Sequence, residues 1–195
     1  MTEVTKFAVF ASGSGTNFQA IYDAIQEGDL AGETVLVVTD KPGAFVVKRA
    51  EDAGIETLVI KPASFPSKAA YEDAILEKLN ELNVEWIVLA GYMRLIGDVL
   101  LEAFPTRIIN IHPSLLPAFP GKDAIGQAME HGVKVTGVTV HYVDAGMDTG
   151  PIIAQQAVEV VKGNREQTEE HIHAVEHALY PKALQQLFSN NHLDK

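Results

Sequence analysis

Asn110 and His112 stand two residues apart in the run Ile109–Gly121, INIHPSLLPAFPG, directly after an apolar stretch from Arg107. Side chains repeat every second residue along a strand, so an Ile-Asn-Ile-His alternation at a strand end turns both to one side. An amide donor beside an imidazole is a pair suited to polarising a carbonyl oxygen. The prolines that follow stiffen a loop that could wall off a ligand. The same residue types also serve in ordinary turns, and other segments bear on the choice.

Ser12-Gly13-Ser14-Gly15-Thr16-Asn17 lies between a predicted strand and a predicted helix. Glycines there let backbone N–H groups close on an anion, and a helix N-terminus adds a favourable dipole. The string is not GxGxxG and lacks the lysine of a P-loop. A single phosphate therefore fits better than a dinucleotide, with Thr16 and Asn17 as further donors. The other reading is a glycine-rich turn in which Asn17 caps the helix.

The segment from Asp144 to Pro151, DAGMDTGP, sets two carboxylates in a glycine-rich loop. Asp144 and Asp148 could bind a divalent metal, orient a histidine or make Asx-turns, and the EF-hand spacing is absent. Gly91-Tyr92-Met93-Arg94-Leu95-Ile96 follows a predicted strand, where open α/β sheets bind ligands. His173 and His177 lie one helical turn apart, but HExxH is absent and no third ligand is evident. The reading there is a solvated helical face.

These segments must be positioned by the elements between them. Predicted strands are Phe7–Ala11, Thr34–Val38, Thr57–Ile60, Glu85–Ala90 and Arg107–Ile111. Predicted helices are Asn17–Glu27, Ala44–Ala53 closed by Gly54, one capped by Ser67 and running to Leu82, and Asn164–Phe188 with a bend near Pro181. Apolar strands alternating with helices predict a mostly parallel sheet covered on both faces. After the loop, Val135–Tyr142 and Ile152–Val161 predict an antiparallel C-terminal strand pair. Without repeats, low-complexity tracts or linkers, residues 1–195 are read as one domain.

Composition narrows the function. Acidic residues number 26 against 15 basic, a formal charge of −11, which argues against non-specific nucleic-acid binding. An anionic small substrate stays compatible, because a few backbone N–H groups can hold a phosphate locally. There is no cysteine, so no disulfide framework and no thiolate catalysis. Neither a signal-peptide pattern nor a bilayer-length apolar run is present, so a soluble cytoplasmic protein with no membrane partner is expected.

Together and in this order, SGSGTN, LAGYMR, NIHPSLLPAFPG, GVTVHYVDAGMDTGPI and AVEHALYP resemble the phosphoribosylglycinamide formyltransferases, folate-dependent transferases of purine synthesis and one-carbon metabolism. The resemblance runs from Phe7 to Phe188. NIHPSLLP followed by HxVxxxxDxGPI is specific for formyl-transferring folate enzymes, and SGSGTN selects the glycinamide ribonucleotide branch. The resemblance implies the formyltransferase fold, a Rossmann-like α/β domain. It implies 10-formyltetrahydrofolate as co-substrate, glycinamide ribonucleotide as acceptor, no metal, and a monomer or homodimer.

The same resemblance places Gly15, Thr16 and Asn17 at the acceptor's phosphate and ribose, and Glu176 at its amino end. Lys68, Met93, Arg94, Leu95, Ile96, Asn110, Asp144, Ala145, Gly146, Met147 and Asp148 fall on the folate side. The N-terminal half thus serves the acceptor and the C-terminal half the folate. The family commonly has arginine where Lys68 stands, and lysine keeps the charge but loses the bidentate fork. Asn110, His112 and Asp148 are the expected catalytic set. The acceptor amine would attack the formyl carbon and generate an oxyanion. Asn110 would donate an N–H to it, and a protonated His112 a charge-assisted bond. Asp148 would hold the ring and organise a water that carries the proton to the leaving nitrogen.

Formyltetrahydrofolate deformylases share the Asn/His/Asp set, with an expected N-terminal regulatory domain for which a first strand by Phe7 leaves no room. Methionyl-tRNA formyltransferases would bring an added C-terminal domain and a basic surface, against the acidic balance here. A non-catalytic nucleotide-binding module would account for SGSGTN but leave Asn110, His112 and Asp148 unexplained.

Overall fold

Runs of β-branched and apolar residues need cover on both faces, and intervening helices supply it. The computed structural model describes residues 4–191. Its strands are β1 (Thr5–Phe10), β2 (Gly32–Thr39), β3 (Thr57–Val59), β4 (Trp86–Leu89), β5 (Ile108–His112), β6 (Val135–Tyr142) and β7 (Ile152–Glu159). Its helices are α1 (Thr16–Glu27), α2 (Phe45–Asp52), α3 (Lys68–Glu81), α4 (Asp98–Ala103), α5 (Ala124–His131) and α6 (Arg165–Asn191). The strands form one sheet in the order β3-β2-β1-β4-β5-β6-β7. The first five run parallel, and β6 and β7 pair antiparallel, as expected.

The period of two sorts each strand between two cores. Phe7 and Val9 of β1, with Trp86 and Val88 of β4, face a core closed by α1, α2, α5 and α6. Ala8 and Phe10, with Ile87 and Leu89, face a second core closed by Tyr71, Ile75 and Leu79 of α3 and Leu100 of α4.

Local chemistry sets several boundaries. Ser67 caps α3 by accepting the Ala70 N–H at 3.1 Å. Asn17 is not the cap of α1: Gly15 takes that place at φ 74°, and no side chain caps the helix. Two helices escaped the sequence reading. The six residues of α4 are too few to show a period. For α5 the signals were present, with Asp123 accepting the Gly126 N–H at 3.2 Å and Gly132 closing the end at φ 78°. The Pro/Gly-rich run before it masked them. Pro181 lies within α6, which continues past it.

Tyr180 of α6 is fully buried and reaches the sheet beneath the site. Its hydroxyl proton points between the Leu89 carbonyl at 2.6 Å and the Ile109 carbonyl at 3.2 Å. Tyr180→Phe keeps the ring and removes the donor. Its expected cost is about 1–2 kcal/mol, read from urea unfolding; unchanged stability would show that neither carbonyl depends on this hydroxyl.

Candidate active site

Strand order reverses at β1, with β2 and β3 on one side and β4 to β7 on the other. Open α/β sheets bind ligands at such a switch point, outside the carboxyl ends of the strands. A cleft of about 710 Å³ lies there. It is lined by residues 13–17 after β1, 90–96 after β4, 110–113 at the end of β5, 121–125 before and into α5, much of the 141–149 segment, and His173 and Glu176 of α6.

The pairing of β5 with β6 assembles the polar floor. Asn110 lies opposite His141, and His112 opposite Thr139. The Asn110 Nδ2 is 3.4 Å from His141 Nε2. His141 Nδ1–H donates to the Tyr142 carbonyl at 2.8 Å, which leaves Nε2 as an acceptor for the Asn110 amide. Asp148 reaches both rings: its Oδ2 is 3.5 Å from His112 Nδ1 and its Oδ1 is 3.8 Å from His141 Nε2. The Gly121 N–H donates to Asp148 Oδ2 at 2.8 Å. His112 Nε2–H donates to the Phe119 carbonyl at 2.9 Å. Both of its nitrogens are thus faced by acceptors in this conformation.

His112 and His141 are buried, at 6% and 2% exposure. Burial pushes the His141 pKa below the ordinary imidazole range, against the opposing pull of the Tyr142 carbonyl and Asp148. His141 was missed as a site residue. Its signal was its place in the HxVxxxxDxGPI string, but only strand pairing puts it against Asn110.

At the other end of the cleft, Gly15 is required twice. Its φ of 74° favours glycine, and a Cβ there would meet Val46 at 2.6 Å. The loop is also held by Arg49, whose Nε–H donates to the Ser14 carbonyl at 2.7 Å. Asn17 Oδ1 is buried and has no hydrogen-bond partner. Glu176 is 5% exposed and accepts from His173 Nδ1–H at 3.0 Å. That bond raises the His173 pKa above its ordinary value. His173 is exposed, as a solvated face predicts, yet it lines the cleft through this pair; His177 departs from that reading, being half-buried with its Nε2 buried and without a hydrogen-bond partner. Among the described residues, no group of three or more His, Asp or Glu is placed to hold a metal ion.

The cleft's lip is apolar, with Met93 at 67%, Leu95 at 50% and Met147 at 51% exposure. The two aspartates of the glycine-rich loop divide the options the sequence left open. Asp144 makes an Asx-turn, accepting from Gly146 N–H at 3.0 Å and Thr149 Oγ–H at 2.6 Å. Asp148 faces the histidines. Of the residues that the resemblance assigns to the site, Lys68 and Ala145 are not in the cleft lining. Lys68 is an exposed residue in the first turn of α3, beside Glu72 and Gly97.

A switch-point cleft with an amide, two imidazoles and a carboxylate on its floor defines an α/β enzyme whose polar groups are arranged to act on a carbonyl. The formyl transferase family model matches residues 5–184. The chain is 56% identical to phosphoribosylglycinamide formyltransferase of Bacillus subtilis, over 95% of this chain and 96% of that one. It is 44% identical to the trifunctional purine biosynthetic protein adenosine-3 of Drosophila pseudoobscura pseudoobscura, over 94% of this chain but 14% of that longer protein. Among solved structures, glycinamide ribonucleotide transformylase 1 of Geobacillus kaustophilus superposes with a TM-score of 0.93 at 58% identity, covering 95% of this chain and all of the other. The enzyme of the same name from Symbiobacterium toebii gives a TM-score of 0.95 at 47% identity, covering 97% of this chain and 90% of its own. This chain belongs to the formyl transferase family.

Two of the perturbed histidines, His141 and His173, predict opposite pH limbs. His141 titrates low, so the unfolded chain takes up a proton before the native one does. Its contribution is full above the unfolded imidazole pKa and is lost as pH falls below it. His173 titrates high, so its contribution is full below the unfolded pKa and is lost as pH rises through the folded value. Histidine ring titrations by NMR should place His141 below and His173 above an unperturbed imidazole; coincident midpoints would refute both environments.

Proposed function

We propose that this chain transfers the formyl group of 10-formyltetrahydrofolate to the amino group of glycinamide ribonucleotide. The products are formylglycinamide ribonucleotide and tetrahydrofolate, a step of de novo purine biosynthesis. The observation that carries the reading is the floor of the cleft, where Asn110, His112 and Asp148 converge between two loops of different character.

The residues suit both substrates. At the N-terminus of α1, the helix has no side-chain cap and no acidic residue in its first turn, which favours a phosphate against Gly15, Thr16 and Asn17. Glu176, buried at the same end, offers a carboxylate to the acceptor's amino group. The apolar lip of Met93, Leu95 and Met147 suits a flat heteroaromatic ring system, and Arg94, Ile96, Asp144, Gly146 and Asp148 complete that end.

Asn110 supplies the central electrostatic effect. Because His141 Nε2 accepts one of its two N–H groups, the amide is held with its nitrogen toward the floor, and the second N–H serves the oxygen of the formyl group as charge develops there. His112 releases its Nε2–H from the Phe119 carbonyl to the same oxygen once substrates displace that contact. Asp148 holds the imidazole from the Nδ1 side and positions a water that relays the proton from the attacking amine to the leaving nitrogen. Orientation of two substrates in one cleft contributes the rest.

Incubation with 10-formyltetrahydrofolate, with and without glycinamide ribonucleotide, tests the reading through product mass. Formylglycinamide ribonucleotide should appear only when both are present. Formate released without the acceptor would instead establish a hydrolase, and no turnover would leave a binding module. Asn110→Ala should lower kcat about 10²–10³-fold, the loss typical of one oxyanion donor. Asp148→Asn should lower kcat with the fold intact. Full turnover of either variant at saturating substrates would remove its residue from the catalytic set.

A further inference from the structure

Asp40 follows β2 and is a buried carboxylate that the chemistry above does not use. Its side chain is 2% exposed, and it is not part of the cleft lining. Its two oxygens face two different loops. Oδ1 accepts the Ser12 Oγ–H at 2.6 Å, and Oδ2 accepts the Arg94 Nε–H at 2.9 Å. Ser12 Oγ in turn accepts the Met93 N–H at 3.0 Å, and the Ser12 N–H donates to the Gly91 carbonyl at 3.0 Å.

A buried carboxylate persists only where donors compensate its lost hydration, and charge-assisted donors do so best. Here those donors come from the residue that opens the 13–17 loop and from the middle of the 91–96 loop. The bond to Arg94 uses the inner nitrogen of the guanidinium, so it orients the group without needing its outer edge.

We infer that Asp40 is a positioning residue that locks the loop at 91–96 against the loop at 13–17, so that the folate side of the cleft is held in its binding conformation before the ligand arrives. The inference rests on the assignment of the 91–96 loop to the folate made above. Asp40 touches neither substrate and acts through Ser12, Met93 and Arg94. Asp40→Asn removes the charge and leaves one acceptor oxygen, so the neutral amide can accept from Arg94 only as an uncharged partner and can keep Ser12 only by reversing that bond and donating to its Oγ. Ser12→Ala breaks the other link, severing Asp40 from the Met93 amide while leaving the Asp40–Arg94 pair.

The test combines amide hydrogen exchange of the ligand-free protein with tetrahydrofolate calorimetry and steady-state kinetics, on wild type, Asp40→Asn and Ser12→Ala. In both variants, exchange across 91–96 should quicken and tetrahydrofolate affinity should fall about tenfold, the scale of one lost charge-assisted hydrogen bond. The KM for the folate should rise in step, while kcat at saturation stays within about threefold, as for lost binding rather than lost chemistry. A folded Asp40→Asn protein with wild-type exchange and affinity would overturn the inference, as would a loss of kcat at unchanged KM. If Asp40→Asn does not fold, Ser12→Ala decides alone, and unchanged exchange at 91–96 overturns it. Failure of the wild type to bind tetrahydrofolate would instead remove the folate assignment, while exchange would still decide whether Asp40 ties the loops.

Discussion

The antiparallel pairing of β5 with β6 is the constraint on which the site depends. It sets Asn110 against His141 and ends β5 at His112. From there the chain returns through the β6–β7 connection, which brings Asp148 between the two rings. A slip of one residue would turn Asn110 and His112 to the opposite face of the sheet. Register is held by burial, since Ile109 and Ile111 alternate with the polar pair and fill the core beneath it. It is also held by Thr139, which donates to the Ser114 carbonyl at 2.7 Å and accepts the Leu116 N–H at 3.1 Å. The loop after His112 is thereby pinned to the same strand that carries His141.

Around this pairing, the protein handles buried polarity by giving each group a defined partner. The neutral His141 has its Nδ1 proton committed to the Tyr142 carbonyl, and its free nitrogen orients an amide. Asp148 is satisfied in part by the Gly121 N–H, so one loop residue steadies the carboxylate while another, Phe119, engages His112. Asp40 plays a comparable part between the loops after β1 and β4. The Asn110–His141, Asp148–Gly121 and Asp40 contacts join residues far apart in sequence, so this support comes from the sheet rather than from any single loop. The acidic balance of the chain is compatible with an anion at residues 13–17, where Arg49 holds the loop and the first turn of α1 carries no acidic residue.

Much of the fold was legible in the sequence because its signals are local. Strands were evident from β-branched runs, and α3 from its Ser67 cap. Both faces of β1 and β4 were expected to be buried, and they are. What stayed hidden had weak or misleading local signals: α4 is too short for a period, and α5 follows a proline-rich loop. Asn17 looked like a cap, but the left-handed backbone at Gly15 starts the helix two residues earlier. In the site, the spacing of Asn110 and His112 was readable from strand alternation alone.

By itself, the sequence determined the alternation of strands and helices, the shared direction of Asn110 and His112, the glycine-rich turn at residues 12–17 and the family these motifs belong to. The first three follow from interactions within a few residues, where spacing dictates direction; the family follows from the resemblance of the motifs taken together. Only the tertiary structure decided that His141 meets Asn110, that Asp148 faces the histidines while Asp144 makes a turn, that His173 pairs with Glu176 at the cleft, and that Asp40 links two loops. With the exceptions of the helical His173–Glu176 pair, whose place at the cleft depends on how α6 packs, and of the Asp144 turn, whose partners Gly146 and Thr149 are local, these depend on strand order and register. Those are set by burying apolar faces across the whole sheet, and no local pattern of residue types encodes which distant side chain will lie within hydrogen-bond reach of another.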